Sequence, residues 1–305
     1  MKHIVIVHTG GGVRYANRIF RSVRWIENRR RLHITTHLVP PHGGEIERLL
    51  DSLPREDTII HARAAHPDAR FMDVLDIAHE EGWKIVNKPS VLRLTSNKGL
   101  CATTLLREHL PHPKTWVLNR ERLSPEIVNE LDIDGEADDL IVKPVVSNGQ
   151  GKFVKKIPFQ AFYDGSWVNL VSGSPVVVQE VVPYSAIYRV ICIDGHALPY
   201  AFVDKQTFHP AEWKVSVCLN KLQHFVPNPG PVLLALAERV QQLIGGEINF
   251  IDIFETGPGH YVISEINTAC SLFIHERLAT AAGHIDANIH NRIARYLIDQ
   301  LYMED

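Results

Sequence analysis

The sequence predicts a parallel α/β layer at the N-terminus and a mixed α+β region after it. Apolar strand-like runs alternate with amphipathic helical patterns up to about residue 90, as in a parallel sheet. Later, short apolar runs are separated by Gly and Pro turns, as in antiparallel hairpins. The length of 305 residues allows two or three domains.

The composition is that of an ordinary globular enzyme. Hydrophobic residues make up 45% of the chain and charged residues 22%, which excludes disordered and fibrous proteins. The net charge of -3 gives no electrostatic argument for a nucleic-acid or membrane partner. The first apolar run is too short for a signal peptide and no run is long enough to span a membrane, so we expect a cytoplasmic location. The four cysteines have no metal-binding or redox spacing and are expected to be reduced thiols.

The N-terminal layer follows a βα order. Strands are predicted at 2–9, 33–39, 58–62 and 83–86, and helices follow the first strand and cover 45–53 and 69–81. The turn at Gly10–Gly12 could hold a phosphate. It does not complete a dinucleotide-binding motif, so a dinucleotide site is disfavoured.

Arg63 follows the third predicted strand. Ligands of a parallel α/β layer bind at the carboxyl ends of its strands, and Arg63 lies at such an end. Two interpretations are open, a solvated surface arginine or a bidentate clamp for a substrate carboxylate.

The middle of the chain combines one helix with several strands. A Pro-containing connector is predicted at 87–98, then a helix to Glu108, and strands near 115–118, 140–144 and 175–182. Lys143 lies inside the second of these strands and precedes a glycine-containing turn. A lysine beside free backbone N–H groups suits a polyphosphate, and the alternative is a plain hairpin with a surface lysine.

The C-terminal part begins with a hairpin that is predicted to turn at Asp194-Gly195. A helix at 231–244 and a last helix at 287–301 carry apolar residues at helical spacing. Both are therefore expected to pack on the core.

Residues 249–267 carry the main chemical feature of the sequence. An apolar strand that contains Asp252 is followed by a Gly-Pro-Gly turn and a second strand that ends in Glu265-Ile-Asn267. Because strand side chains alternate between faces, Glu265 and Asn267 point the same way, and the hairpin can bring Asp252 beside them. Three oxygen donors without thiolate or imidazole suit Mg²⁺ or Mn²⁺. The alternative is an ordinary hairpin whose acids face solvent.

Taken in order, these motifs resemble the ATP-grasp superfamily, and most closely its prokaryotic glutathione-synthetase-like branch. The resemblance rests on Lys98, Lys143 with its turn, Gln179-Glu180, Arg189, Asp252 and Glu265-Ile-Asn267, together with the strings 85–98 and 265–276. It spans roughly residues 58–280. It implies a pre-ATP-grasp domain at 1–92, a central ATP-grasp subdomain with a lid at 93–183, and a C-terminal subdomain with the metal site at 184–305.

The resemblance also implies a role for each matching residue. The ATP-binding residues would be Lys98, Lys143, Ser147, Asn148, Gly149, Gln150, Gly151, Gln179, Glu180, Val181, Val182 and Lys205. Residues 147–151 would form the lid and residues 180–182 the adenine-binding hinge. The metal ligands would be Asp252, Glu265 and Asn267. Arg189 would face an acyl phosphate, and Arg63, Ser271 and His275 are candidates for substrate binding.

Three departures from the branch concern the acceptor site. The segment 213–218 keeps a cation at Lys214, the second candidate catalytic residue, but lacks the Asn and Gly residues of the branch. Ile187 stands where related enzymes have an acid, and Ala269-Cys-Ser replaces their Ser-Pro or Pro-Gly. The matching residues therefore support nucleotide and metal chemistry, whereas glutathione as the product is not implied.

The leading hypothesis is an ATP- and Mg²⁺-dependent carboxylate-amine ligase that forms an amide or peptide bond through an acyl phosphate. Its substrates would be amino acids or peptides, and the family makes a homodimer or homotetramer plausible. Two alternatives remain, a ligase that modifies a peptide or protein, and an ATP-binding module without turnover. A dehydrogenase would need the dinucleotide motif that is absent from the sequence.

Overall fold

The computed structural model contains three sheets and describes most of the chain. The described residues are 1–8, 13–63, 69–119, 121, 128, 130–131, 133, 139–146, 154–169, 175–205, 224–270, 273–284 and 288–303. Within these ranges, no helix is both long and apolar enough to cross a membrane.

The first sheet is parallel, with the strand order β2-β1-β3-β4. Its strands are β1 (Lys2–His8), β2 (Ile34–Val39), β3 (Thr58–Arg63) and β4 (Lys84–Val86). The helices between them are α1 (Val13–Arg30), α2 (Gly43–Leu50) and α3 (Ala69–Glu80), with a short 3-10 helix at Arg55–Asp57. Helices cover both faces of the sheet, so the central strands β1 and β3 are buried. The predicted parallel α/β layer is confirmed.

The segment 87–98, predicted as a connector, is mostly helical. It contains α4 (Pro89–Ser96), and α5 (Lys98–Arg107) follows directly. Asn97 separates the two helices, and its side chain caps α5 by accepting a hydrogen bond from the backbone N–H of Leu100. The prediction of a connector is wrong because a proline in the first turn of a helix loses no intrahelical hydrogen bond.

The second sheet is antiparallel, with the order β5-β8-β6-β7. Its strands are β5 (Thr115–Leu118), β6 (Asp139–Pro144), β7 (Lys155–Pro158) and β8 (Val176–Glu180), and α6 (Phe159–Tyr163) and a 3-10 helix at Ser166–Asn169 follow β7. One face packs on an apolar cluster around Trp167. Because strand side chains alternate, Lys143 and Gln179 lie on the other face. Helix α5 packs on that face, and Gly99 of α5 lies so close to Val117 of β5 that a larger residue at position 99 would clash.

The third sheet has the order β11-β10-β9-β12-β13, and its described pairings are all antiparallel. Its strands are β9 (Ala186–Ile193), β10 (His196–Lys205), β11 (His224–Pro227), β12 (Ile248–Gly257) and β13 (His260–Asn267). The helices of this part are α7 (Pro231–Ile244), α8 (Phe273–Ala281) and α9 (Ile289–Tyr302). The predicted turn at Asp194-Gly195 is confirmed, with φ of 55° and 80°, the left-handed values that a two-residue hairpin turn favours.

The C-terminal helix α9 packs against α1 of the N-terminal layer. Ile293 and Leu297 of α9 share one apolar cluster with Ile19 and Val23 of α1 and with Phe250 of β12. The end of the chain therefore completes a core that joins the first and third sheets.

Asn87 is a second link between these sheets. It follows β4 and is fully buried. Its side-chain oxygen accepts hydrogen bonds from the backbone N–H groups of Glu247 and Ile248, each 2.8 Å long, and its Nδ2 donates to the Ile248 carbonyl at 2.9 Å. One amide thus satisfies three backbone groups at the start of β12.

We expect Asn87→Ala to lower the free energy of unfolding by roughly 2–4 kcal/mol, because it leaves buried backbone groups without partners. Urea denaturation measures the loss. The exposed Asn28→Ala serves as the control and should change stability by less than about 0.5 kcal/mol. Equal stability of the two variants would contradict the assigned role of Asn87.

Candidate functional site

A buried ion pair lies in the middle of the third sheet. Arg189 of β9 and Asp252 of β12 are directly opposite each other in the strand register. The guanidinium binds the carboxylate in two places, Nε to Oδ1 and Nη2 to Oδ2, both at 2.7 Å. Burial would lower the pKa of Arg189, but Asp252 outweighs this effect and raises it. The pair is therefore charged and fixed in orientation.

Glu265 and Asn267 continue this arrangement on β13. Glu265 is opposite Asp252, and Asn267 is opposite Phe250, two residues before Asp252. All three polar side chains therefore emerge from the same face of the sheet, as the alternation in the sequence predicted. Asp252 is only 3% exposed, whereas the Glu265 side chain is 38% exposed. The alternative of two solvent-facing acids is wrong for Asp252.

Lys98 bridges the second and third sheets. It is the first residue of α5, and its backbone N–H donates to the carbonyl of Val145, just past β6, at 2.8 Å. Its Nζ donates to the Glu265 carboxylate. The N-terminus of α5, which attracts anions, is thus held between the two sheets.

Lys143 of β6 belongs to the same group of charges. Burial, with a further contribution from Lys98, lowers its pKa to about 8 although Glu265 opposes the change. Burial would raise the pKa of Glu265, but Lys98 and Lys143 together outweigh it and hold the value at about 2. Glu265 is therefore ionised at neutral pH and lies between two cations. The alternative of a surface lysine at position 143 is wrong.

The end of β8 continues the face that carries Lys143. Gln179 is 5% exposed, and its Nε2 donates to the Thr115 hydroxyl at 2.8 Å. Glu180 is exposed and accepts a hydrogen bond from the backbone N–H of Lys114 at 2.8 Å. Val181 and Val182 follow the strand and are half-buried. Gln179 therefore lies on the same face of the second sheet as Lys143, whereas Glu180, opposite Leu140, lies on the other face.

Arg63 approaches this group from the N-terminal layer. It is the last residue of β3 and only 5% exposed, so the interpretation as a solvated arginine is wrong. Its guanidinium lies 3.9 Å from the centre of the Tyr15 ring, and its Nη2 donates to the carbonyl of Cys270. The Cys270 thiol in turn accepts from Nη1 of Arg189 at 2.9 Å. One residue therefore connects the two arginines.

Comparison with solved structures identifies the architecture. The ATP-grasp ligase PsnB, solved with a minimal precursor, superposes with a TM-score of 0.64 at 18% identity, over 98% of this chain and 100% of PsnB. D-cycloserine synthetase DcsG gives 0.69 at 15% identity, over 98% and 99% of the two chains. D-alanine–D-alanine ligase from Bacillus anthracis gives 0.66 at 14%, over 99% and 97%. Protein-family models and curated protein sequences give no match.

The chain has the ATP-grasp fold. The fold class predicted from the sequence, an N-terminal α/β layer followed by the ATP-grasp fold, is confirmed over nearly the whole chain. The assignment to the glutathione-synthetase-like branch stays a prediction.

In this ATP-grasp fold, the described charged residues between the sheets carry more positive than negative charge. The cations are Arg63, Lys98, Lys143 and Arg189, and the carboxylates are Asp252 and Glu265. This surplus suits a polyanionic ligand. With Asn267, the carboxylates form an all-oxygen donor set on one face, which fits the coordination preference of Mg²⁺.

Several predicted site residues are not brought into this group. Residues 147–151, Lys214 and Ser271 lie outside the described residues. Lys205 is the last residue of β10, opposite Ala186, and its side chain also lies outside the description. His275 is 1% exposed and packs edge-on against Phe202 at 4.5 Å between ring centres, so it belongs to the core. The departure at Ile187 is likewise a buried core residue.

The sequence did not indicate the residues that support Arg63. Tyr15 lies under its guanidinium, and the Tyr15 hydroxyl is 2.9 Å from Nε2 of the fully buried His61. The alternation of polar and apolar residues in His61-Ala-Arg63 is the trace that this arrangement leaves in the sequence. Cys270 was noted as a departure from the family, without its two contacts.

We expect Arg189→Met to destabilise the protein by about 3–5 kcal/mol, because Asp252 is left as an unpaired buried charge. Asp252→Leu should cost a similar amount. The double variant should lose much less than the sum, since it buries no charge.

Urea denaturation of the four proteins gives the coupling free energy. The exposed pair Arg30 and Asp299 is the matched control, and its cycle should give at most about 1 kcal/mol. Additive losses for Arg189 and Asp252 would show that the buried pair is not coupled.

We expect the free energy of unfolding to decrease as the pH is lowered from 6.5 to 4, partly because of His61. Burial and then Arg63 lower its folded-state pKa from 6.5 to about 4, against a weaker opposing contact with the Val86 carbonyl. The unfolded chain therefore binds the proton first as the pH falls, which at full effect corresponds to roughly 3 kcal/mol. Thermal denaturation across this range should show a smaller decrease for His61→Gln.

The half-buried His112 adds to the same decrease, because burial lowers its pKa to about 4. His61→Gln should therefore reduce the pH dependence without abolishing it. The exposed His260→Gln is the control and should keep the wild-type profile. An unchanged profile in His61→Gln would contradict the assignment.

Proposed function

We propose that the protein is an ATP-dependent ligase that joins a carboxylate to an amine. The observation that carries the proposal is the facing arrangement of two lysines and an acid–acid–amide set across the space between the second and third sheets. Lys98 physically joins these walls through Val145 and Glu265. The structural neighbours PsnB and D-alanine–D-alanine ligase are ligases, which supports the reaction class.

Lys98 and Lys143 would bind the phosphates of ATP. Both lysines interact with Glu265, and the N-terminus of α5 adds a favourable dipole beside Lys98. The strand end at Gln179 to Val182 would hold the adenine, since Gln179 lies on the face of the sheet that carries Lys143. Residues 147–151 would close over the phosphates.

Asp252, Glu265 and Asn267 would hold Mg²⁺. The metal ion would neutralise charge on the phosphates during transfer. Arg189 and Lys98 contact these two carboxylates and hold them in position.

The reaction would proceed in two steps. A carboxylate oxygen attacks the γ-phosphorus, and the bond to the ADP oxygen breaks. The amine then attacks the carbonyl carbon of the acyl phosphate, loses a proton, and expels phosphate. Arg189 is fixed by Asp252 beside this point and would stabilise the negative charge that develops on the acyl group.

A peptide acceptor is the second candidate within this class. PsnB, which matches over nearly the full length of both chains, was solved with its precursor peptide. The branch-specific acceptor segment is altered in this chain at 213–218. Glutathione is therefore not proposed as the product, and the acceptor would be an amino acid or a peptide.

The test is phosphate release from ATP with Mg²⁺ and a panel of amino acids, dicarboxylates and short peptides. We expect turnover with at least one acid and amine pair. Lys143→Met and Glu265→Gln should each lower kcat/KM by roughly 100-fold or more, since each removes a charge that acts on the transferred group. The exposed Lys155→Met on the same sheet is the matched control and should stay active.

Two results would count against the proposal. Binding of ATP by calorimetry without turnover for any pair would favour a nucleotide-binding module without catalysis. Unchanged turnover in Lys143→Met would remove the lysine from the phosphate site.

A further inference from the structure

Among the described residues, no carboxylate interacts with Arg63, whereas each of the other three cations of the group interacts with one. Arg189 has Asp252, and Lys98 and Lys143 share Glu265. Among the described residues, Arg63 forms no ion pair with a carboxylate. Its contacts are the face of the Tyr15 ring and the carbonyl of Cys270, both uncharged.

The guanidinium of Arg63 also keeps an unused donor. Its Nε is buried and has no hydrogen-bond partner in the described part of the protein. A buried guanidinium without an anion and with an unpaired N–H is unfavourable, and proteins keep such a group where a ligand completes it. Arg63 therefore has the properties of a binding residue rather than of a structural one.

The position of Arg63 defines what it can reach. It ends β3 beside His8, the last residue of β1, at the carboxyl edge of the parallel sheet where ligands of such layers bind. Arg63 and Arg189 both contact Cys270, and Arg189 is the group proposed to face the reacting carboxylate. The lysines proposed for ATP are carried by other elements, Lys143 by β6 of the second sheet and Lys98 by α5.

We propose that Arg63 binds a carboxylate of the acid substrate and selects for it. This inference rests on the proposed ligase function and deepens it by assigning the substrate wall to the N-terminal layer. The planar guanidinium offers paired N–H donors that match the two oxygens of a carboxylate. The guanidinium packs on the ring of Tyr15, which restricts its orientation, and the Tyr15 hydroxyl is hydrogen-bonded to His61.

The binding test uses thermal shifts and calorimetry on the full chain without nucleotide. The probes are free amino acids, succinate, malonate and short peptides with an acidic side chain, each compared with its carboxamide. We expect at least one carboxylate to raise the Tm of the wild type and its carboxamide to have no effect. Free amino acids and peptides in the panel distinguish the two sources of the carboxylate.

Arg63→Met separates binding from structure. A binding residue without an anion should be replaceable, so the Tm of the ligand-free variant should equal or exceed that of the wild type. The shift caused by carboxylates should disappear. In turnover assays the KM for the acid should rise at least about tenfold, while the KM for ATP stays within about twofold. Arg30→Met, at an exposed arginine, is the control and should leave the carboxylate-induced shift and both KM values unchanged.

Four outcomes would overturn the inference. A ligand-free Arg63→Met protein with a clearly lowered Tm would make Arg63 structural. Equal stabilisation of wild type and variant by every carboxylate, or stabilisation of the wild type by none, would remove the carboxylate site. Stabilisation by inorganic phosphate or sulfate to the same extent as by carboxylates would make the site unselective.

Failure of the ligase proposal would look different. In that case the wild-type protein would bind carboxylates through Arg63 but would turn over no ATP. Retained ATP affinity in Arg63→Met, measured by calorimetry, shows that the nucleotide wall is intact when the carboxylate effect is lost.

Discussion

The buried pair of Arg189 and Asp252 fixes the chemistry of the third sheet. Two charges removed from water are costly, and only a geometry with two hydrogen bonds of 2.7 Å repays that cost. The antiparallel register of β9 and β12 supplies this geometry by placing the two residues opposite each other. The register of β12 and β13 then places Glu265 opposite Asp252. A slip of one residue in either pairing would move these groups to opposite faces and dismantle the site.

The remaining charges are arranged around this pair by elements from other parts of the chain. Lys98 depends on the start of α5, which Asn97 caps and which a hydrogen bond to the end of β6 holds in place. Lys143 depends on β6, where alternation directs it away from the apolar cluster around Trp167. Two separate elements, α5 and β6, therefore add positive charges beside the two carboxylates. Such a surplus is unfavourable, and the polyanionic nucleotide of the proposed function would relieve it.

The sequence allowed the local geometry to be predicted, but not the contacts between distant segments. The hairpin with Asp252 and Glu265, the Asp194-Gly195 turn and the helix at 231–244 follow from alternation, turn residues and helical spacing. Helix α4 was missed because a proline at the first helical position resembles a break. The partnership of Arg63 with Cys270 joins residues 207 positions apart, and no periodicity encodes it. His275 matched a family motif, yet its environment made it a core residue.

The N-terminal layer is joined to the third sheet at two places. Asn87 ties the end of β4 to the start of β12, and α9 returns from the C-terminus to pack on α1. These contacts come from opposite ends of the shared core, so the first and third sheets meet at fixed points. Arg63 is carried by the first sheet and Arg189 by the third, and both contact Cys270. The distance between the two guanidinium groups is therefore set by the fold, as recognition of the proposed carboxylate substrate by both groups would require.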